Sequence, residues 1–200
     1  MKPPSQMSRT AILAEGALMV ALGFVLSLIP IPSFPWGGSI SMAATLPIIM
    51  MSLRHGAKWG VATAAVYGLL QMLLGMSNVV AVPVKTYFYM ALCALLDYLV
   101  AYTVLGFTGS IARRFKNPTA GLAVGITATG LLRLLCSFLS GLLIWGAYAW
   151  EGWPVWAYSL AYNAGWCLPD VAIVLVAALL LSRVPVLGLL DRPKAQKTAA

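Results

Sequence analysis

The sequence predicts an all-α integral membrane protein, a bundle of six transmembrane helices with both termini cytoplasmic. Three observations carry that expectation. First, 61% of the 200 residues are hydrophobic and 9% are charged, whereas a soluble domain carries about 25% charge. So few polar groups cannot cover the chain, and lipid must be the solvent for most of its surface. Second, six apolar runs stand out, at about 11–29, 40–53, 59–76, 87–108, 119–149 and 157–182. Third, the basic residues alternate with those runs. Lys2 and Arg9 precede the first, Arg54 and Lys58 follow the second, Arg113, Arg114 and Lys116 follow the fourth, and Arg183, Arg192, Lys194 and Lys197 follow the sixth. Eleven of 13 Lys and Arg therefore share one side of a six-span chain, which the positive-inside rule assigns to the cytoplasm. The exceptions are Lys85 and Arg133. The net charge of +8 thus marks topology and gives no case for nucleic acid. A single membrane-embedded domain spans residues 1–200, with short cytoplasmic tails at about 1–8 and 184–200.

The first run is long enough to span, and no small-residue cleavage site stands clear of it, so it reads as a span and not a signal peptide. The second is short: about 14 residues rise only ~21 Å against a hydrocarbon core of about 30 Å. It must be extended, tilted or shielded by neighbours. The fifth is long, and is expected to protrude or bend at its glycines. Outer loops then fall at 30–39, 77–86 and 150–156. Cys93, Cys136 and Cys167 are dispersed in apolar segments without metal-ligand spacing and read as packing residues. The lone His55 lies in a basic loop and makes no metal site.

Ionisable groups inside a membrane need a partner or a purpose. Glu15 lies near the cytoplasmic start of the first run, while Asp97, Arg133 and Asp170 lie deep. Counted from the outer ends at about 1.5 Å per residue, Asp97 is roughly 15 Å in and Ser137 roughly 18 Å. Arg133 and Asp170 both come out near 20–24 Å by the same count, so they are candidates for an ion pair. That pairing leaves Asp97 without a protein cation, and a cationic ligand or a proton would complete it. On the sixth run Tyr162, Trp166, Ser159, Asp170 and Asn163 fall within an arc of about 100°, with Tyr158 beside it. On the fifth, Arg133, Ser137 and Ser140 form a row, with Trp145 near the outer end. Tyr98 and Tyr102 accompany Asp97 on the fourth. Interhelical hydrogen bonding alone would explain some of these groups. A small-molecule pocket open to the outer side accounts for them better, because pockets combine apolar walls with a few convergent polar groups.

The stretch WGAYAWEGWPVWAYSLAYNAGW, residues 145–166, holds five of the 7 Trp and three of the 8 Tyr. Rings so concentrated serve either as an interfacial belt or as a cage for a flat or cationic ligand. Trp145, Tyr158, Tyr162, Asn163 and Trp166 are expected to face inward as cage or cage support. Trp150, Trp153 and Trp156 are expected in the connecting loop as anchors or a lid.

Between about residues 8 and 182 the chain resembles the S components of energy-coupling-factor (ECF) vitamin transporters, most closely the thiamine-specific ThiT group. The resemblance rests on ALMVALGF (17–24), LPIIMMSLRHGAKWG (46–60), LLDYLVAY (95–102) and LLRLLCSFLSGLLIWGAYAWEGWPVWAYSLAYNAGW (131–166). It implies a six-helix, non-enzymatic binding subunit without a cofactor, in a bacterial cytoplasmic membrane, that captures thiamine from outside. The implied partners are a membrane scaffold subunit and two ATPase subunits. It further implies that Ala17 and Ala21 meet the scaffold, a spacing that lets another helix approach closely; packing within the bundle is the alternative. Asp97 stands where the group has a glutamate, followed by the matching Tyr98, and Trp145, Tyr158 and Asn163 match its ring-stacking and polar contacts. The chain departs from the pattern at Tyr67, where the group has Trp, at Ser137, where it has His, and at Gly38, with Trp36 two residues from the outer-loop Trp. The shorter carboxylate of Asp97 requires a shifted ligand or a bridging water. A pyrimidine or thiazole precursor of thiamine is the competing ligand.

Other classes fit less well. An intramembrane enzyme needs paired carboxylates, a His cluster or a nucleophile–base pair, and the sequence has one His and neither HExxH nor EExxxR. A standalone secondary transporter would show an internal repeat and coupling-ion groups. No Walker motif is present, so an ATP-driven role requires partners.

Overall fold

The structure, a computed structural model, describes residues 7–31, 40–184, 187 and 189. It is nearly all helical, and five of its helices are long and apolar enough to cross a membrane. These are α1 (Arg9–Ser27), α3 (Ala57–Leu74), α5 (Tyr87–Ala112), α6 (Pro118–Leu143) and α7 (Val155–Leu181). Two shorter helices, α2 (Leu46–His55) and α4 (Met76–Val80), complete the set named here. A minimal antiparallel ribbon pairs β1 (Pro30–Ile31) with β2 (Ile40–Ser41) between α1 and α2.

Local chemistry sets several helix starts. The Ser8 hydroxyl accepts the Ala11 N–H at the start of α1. Asn117 accepts from both Thr119 and Ala120, with Pro118 in the first turn of α6, where its missing N–H costs nothing. The α2–α3 corner turns at Gly56, whose φ of 88° suits a residue without Cβ.

The second apolar run folds as only ten residues of helix, a rise of about 15 Å. Its eight residues from Leu46 to Leu53 are all buried. Of the three ways for a short run to exist in this fold, shielding by neighbours is the one observed. Leu46, Ile49, Met50 and Leu53 join Leu122, Ile126 and Val174 in the main apolar core, linking α2 to α6 and α7. By contrast α1 turns Leu13, Leu18, Leu22 and Val25 outward and keeps Gly16, Val20 and Gly23 inside. Large aliphatic groups outside and small ones at helix contacts are the pattern lipid favours. The α3–α5 crossing shows its limit: a Cβ on Gly106 would lie 2.4 Å from the Val61 nitrogen.

The fifth run also ends earlier than its apolar composition suggests. Helix α6 stops at Leu143, and Gly146–Tyr148 form a single 3-10 turn. Beyond Leu143 the aliphatic pattern gives way to rings that pack sideways onto α5 and α7 instead of extending the axis.

The end of the bundle near α2 is basic and internally paired. Glu15 lies 2.9 Å from both Arg54 Nε and His55 Nε2. Arg54 also donates to the Leu187 carbonyl, and Arg113 to that of Leu53. The intramembrane cost of Glu15 is thus offset by two partners on α2.

Candidate ligand-binding site

Between α5, α6 and α7 lies a cavity of about 630 Å³, within the range of small-molecule sites. Helix α5 brings Cys93, Asp97, Tyr98 and Tyr102 to its wall, and α6 brings Arg133, Ser137 and Gly141, with Trp145 just beyond its end. Helix α7 supplies Tyr158, Tyr162, Asn163 and Trp166. Asn78 of α4 and Tyr148 and Trp150 of the α6–α7 connection close the remaining sides.

The backbone is irregular where the carboxylate sits. From Ala94 to Val100, α5 widens into π turns, then tightens into 3-10 turns over Val104–Phe107. Such widened turns displace a helix face and occur often at functional sites. Here they surround Asp97 and Tyr98. On the opposite wall Gly141 is required sterically, since a Cβ there would meet the Ser159 hydroxyl at 2.1 Å. That close approach lets α6 and α7 run together while both still line the cavity.

The two deep carboxylates are treated differently. Asp170 and Arg133 pair at 2.9 Å, as their similar depth suggests. Asp170 accepts from Arg133 through Oδ2 and from the Ser41 hydroxyl of β2 through Oδ1. Asp97 has neutral partners. Its Oδ2 accepts from Ser140 Oγ at 2.6 Å, Trp145 Nε1 at 3.2 Å and Cys93 Sγ at 3.4 Å. These donors fix the carboxylate and the indole plane together, yet they supply no positive charge.

Several expected residues meet on this wall: Asp97, Tyr98, Trp145, Ser137, Tyr158 and Asn163. Tyr98 is tied to the α3–α4 junction, donating to the Gly75 carbonyl at 3.2 Å and accepting from Asn78 at 3.4 Å. The Asn163 amide is engaged inside the protein, donating to the Ser137 and Ser159 carbonyls and accepting from Trp166 Nε1. Tyr67 is not on the wall. It is fully buried, donates to the Gly23 carbonyl, accepts from Gln71, and packs edge-on against Tyr102 at 5.2 Å. Trp36, and with it Gly38, lies outside the described residues. Ala17 and Ala21 line a separate apolar groove of about 580 Å³ between α1 and α3. Both are exposed.

Sequence reasoning missed other wall residues. Cys93 read as inert packing, although it sits one helical turn before Asp97 and donates to it. Ser140 was legible as part of a polar row, but not as the shortest contact of the carboxylate. Trp150, expected in the loop as anchor or lid, packs edge-on against Tyr158 at 5.3 Å and lines the cavity. Trp153 and Trp156 are exposed, as membrane anchors would be, but Trp156 stands in the first turn of α7 and not in the loop where it was expected. Among the described residues, no three His, Cys, Asp or Glu side chains converge as a metal site.

Five helices long and apolar enough to cross a membrane, three of them around a cavity lined by rings, hydroxyls and a carboxylate without a cationic partner, define the class as a multi-pass membrane protein with a small-molecule-sized polar cavity. The family profile described as Thiamine transporter protein (Thia_YuaJ) matches residues 13–186, and the chain belongs to that family. It is 33% identical over 189 residues to the thiamine transporter ThiT of Bacillus subtilis strain 168, covering 88% of this chain and 93% of the relative. A second relative, thiamine transporter ThiT of Lacticaseibacillus paracasei strain ATCC 334, is 27% identical over 209 residues, 98% of each chain. The solved structure of ThiT from Listeria monocytogenes superposes with a TM-score of 0.72 at 25% identity, covering 90% of this chain and 97% of that one.

Proposed function

We propose that this protein is the substrate-binding S component of an ECF-type importer, capturing thiamine at the outer face of a bacterial plasma membrane. In this reading the chain crosses six times with both termini in the cytoplasm, the buried α2 segment serving as the short second pass. The observation that carries the ligand assignment is the Asp97 carboxylate, set beside Trp145 and held by three neutral donors. A thiazolium supplies the missing charge, and an aromatic face stabilises it further. Because Oδ2 already takes all three donors, Oδ1 is the oxygen left for the ligand. The aminopyrimidine stacks in the same ring-lined space, with Tyr98, Ser137, Tyr158 and Asn163 as polar neighbours. Tyr67 contributes through Tyr102.

The protein performs no chemistry on its ligand and needs no cofactor. Ala17 and Ala21 form the surface that receives the membrane scaffold subunit, and two ATPase subunits drive the cycle. Their exposure on an apolar groove favours that role, since small side chains admit a second helix.

Titration of the purified protein with thiamine and with its separate pyrimidine and thiazole halves, followed by Trp fluorescence and calorimetry, tests the ligand assignment. Saturable micromolar or tighter binding of thiamine, with weaker binding of each half, is expected. Tighter binding of one half would reassign the protein to a precursor, and no response to thiamine would remove the reading. Co-purification with ATPase subunits separates the importer from a standalone transporter.

A further inference from the structure

We infer that Arg133 and Tyr102 form a second recognition pole in the cavity, a donor pair that binds an uncharged hydrogen-bond acceptor of the ligand. The inference rests on the reading of the cavity as a thiamine site and adds a specificity determinant to it. Arg133 is half-wrapped: its guanidinium lies 4.7 Å from the centre of the Tyr102 ring and 4.9 Å from that of Trp166. One N–H goes to Asp170 at 2.9 Å and one to the Tyr102 oxygen at 3.2 Å. A guanidinium carries five N–H donors, so these two bonds fix the group and leave donors over. Arg133 and Tyr102 both stand on the cavity wall. The Tyr102 hydroxyl accepts from Arg133, and its own proton remains available to a further acceptor.

The pole's charge is already balanced. Asp170 sits against Arg133 with its side chain 3% exposed, and its other oxygen is held by Ser41. A neutral acceptor, such as a hydroxyl or a ring nitrogen, is therefore the partner that fits. The cavity is thus bipolar: acceptor-rich at Asp97, donor-rich at Arg133 and Tyr102. A ligand with a cation or N–H donors at one position and a neutral acceptor at another satisfies both. The geometry also gives two buried groups work beyond packing. Asp170 is a positioning residue for Arg133, and Tyr67, edge-on to Tyr102, is a positioning residue for its ring.

Three ligands and two variants test this. The ligands are thiamine, an analogue with the hydroxyethyl arm replaced by ethyl, and an analogue with one pyrimidine ring nitrogen replaced by CH. The variants are Tyr102→Phe, which removes only the hydroxyl, and Arg133→Lys, which keeps the charge and loses the planar fork. Tyr102→Phe should weaken thiamine about 3- to 10-fold and leave unchanged the affinity for the analogue lacking the matching acceptor. Equal losses for all three ligands, or no loss for any, would overturn the donor pole, because a structural role cannot distinguish ligand atoms. If Arg133→Lys fails to fold, Tyr102→Phe decides alone. Wild-type protein that does not bind thiamine removes the underlying reading and the pole with it. Wild-type binding without an analogue-specific loss removes the pole only.

Discussion

Among the described residues lie two hollows of nearly the same size and opposite chemistry. The cavity between α5, α6 and α7 measures about 630 Å³, and the groove between α1 and α3 about 580 Å³. The first holds two charged groups, hydroxyls, two amides and many rings. The second is walled by Ile12, Leu13, Val20 and Val66 beside Gly16, Ala17 and Ala21. Volume therefore does not distinguish the two hollows; polarity does. Polar groups away from water must be satisfied, so an open space lined by them suits a polar occupant better than an apolar one. An apolar groove with small residues at its base has no such demand, and suits the side of another helix.

The largest expected effect breaks the polar hollow at its charge. Asp97→Asn keeps the shape and an acceptor oxygen but removes the charge opposite a thiazolium. Thiamine affinity should fall on the order of 100-fold, while the neutral pyrimidine half loses much less. Calorimetric titration of both ligands measures the difference. Equal losses would mean that Asp97 acts by shape and hydrogen bonding alone, and would dissolve the contrast between Asp97 and the ion-paired Asp170.

Much of this contrast was legible in the sequence. Composition and the placement of Lys and Arg gave the membrane class, and depth counting brought Arg133 and Asp170 together, leaving Asp97 apart. Helical periodicity put Tyr162, Asn163 and Trp166 on one face of α7, with Tyr158 beside it. What escaped was whatever depends on local departures from the ideal helix. The π turns at Ala94–Val100 have no compositional sign, because Ala, Leu and Val suit a regular helix equally well. Cys93 is a different case: it stands four residues before Asp97, ordinary neighbour spacing on a helix face, so its contact with the carboxylate was legible once Asp97 was singled out. Tyr67 was expected at the ligand from resemblance alone, whereas packing puts Tyr102 in front of it. Trp150 and Trp156 sit six residues apart in one aromatic run, and it is the chain's path from the α6–α7 connection into α7 that puts one on the cavity wall and leaves the other exposed.

The apolar hollow is broken by filling it. Ala17→Leu combined with Ala21→Leu places two branched side chains on the exposed strip of α1 without touching the cavity wall. Thiamine binding to the purified protein should stay within about twofold, whereas uptake by cells carrying the full transporter should drop about tenfold, equivalent to ~1.4 kcal/mol of lost association. Parallel loss of binding and uptake would show that the groove belongs to the fold of the binding domain and is not a separate docking surface.

A smaller effect tests how the polar hollow holds its carboxylate. Ser140 is fully buried and makes the shortest bond to Asp97. Ser140→Ala leaves Trp145 and Cys93 as donors, so thiamine binding should weaken only about 3- to 10-fold. Ser140→Thr, which keeps the hydroxyl, should recover most of that loss if the added methyl is tolerated. A full loss with Ala that Thr does not restore would point to packing between α5 and α6 as the role of this residue.

The smallest effect separates interior from lipid-facing surface within one run of sequence. Trp150 meets Tyr158 edge-to-face on the cavity wall, and removing such a ring pair costs about 0.5–1.5 kcal/mol beyond lost area. Trp150→Ala should therefore weaken thiamine by roughly 2- to 10-fold. Trp156, 59% exposed at the first turn of α7, fits the ring belt at the lipid boundary. Trp156→Ala should leave the dissociation constant within about twofold, and lower the yield or thermal stability of the protein in bilayers instead. The two variants measured side by side decide whether the aromatic run serves two surfaces or one. If Trp156→Ala weakens the ligand as much as Trp150→Ala does, the ring belt and the cavity mouth are one structure, and the line between the polar hollow and the lipid-facing surface shifts by six residues of chain.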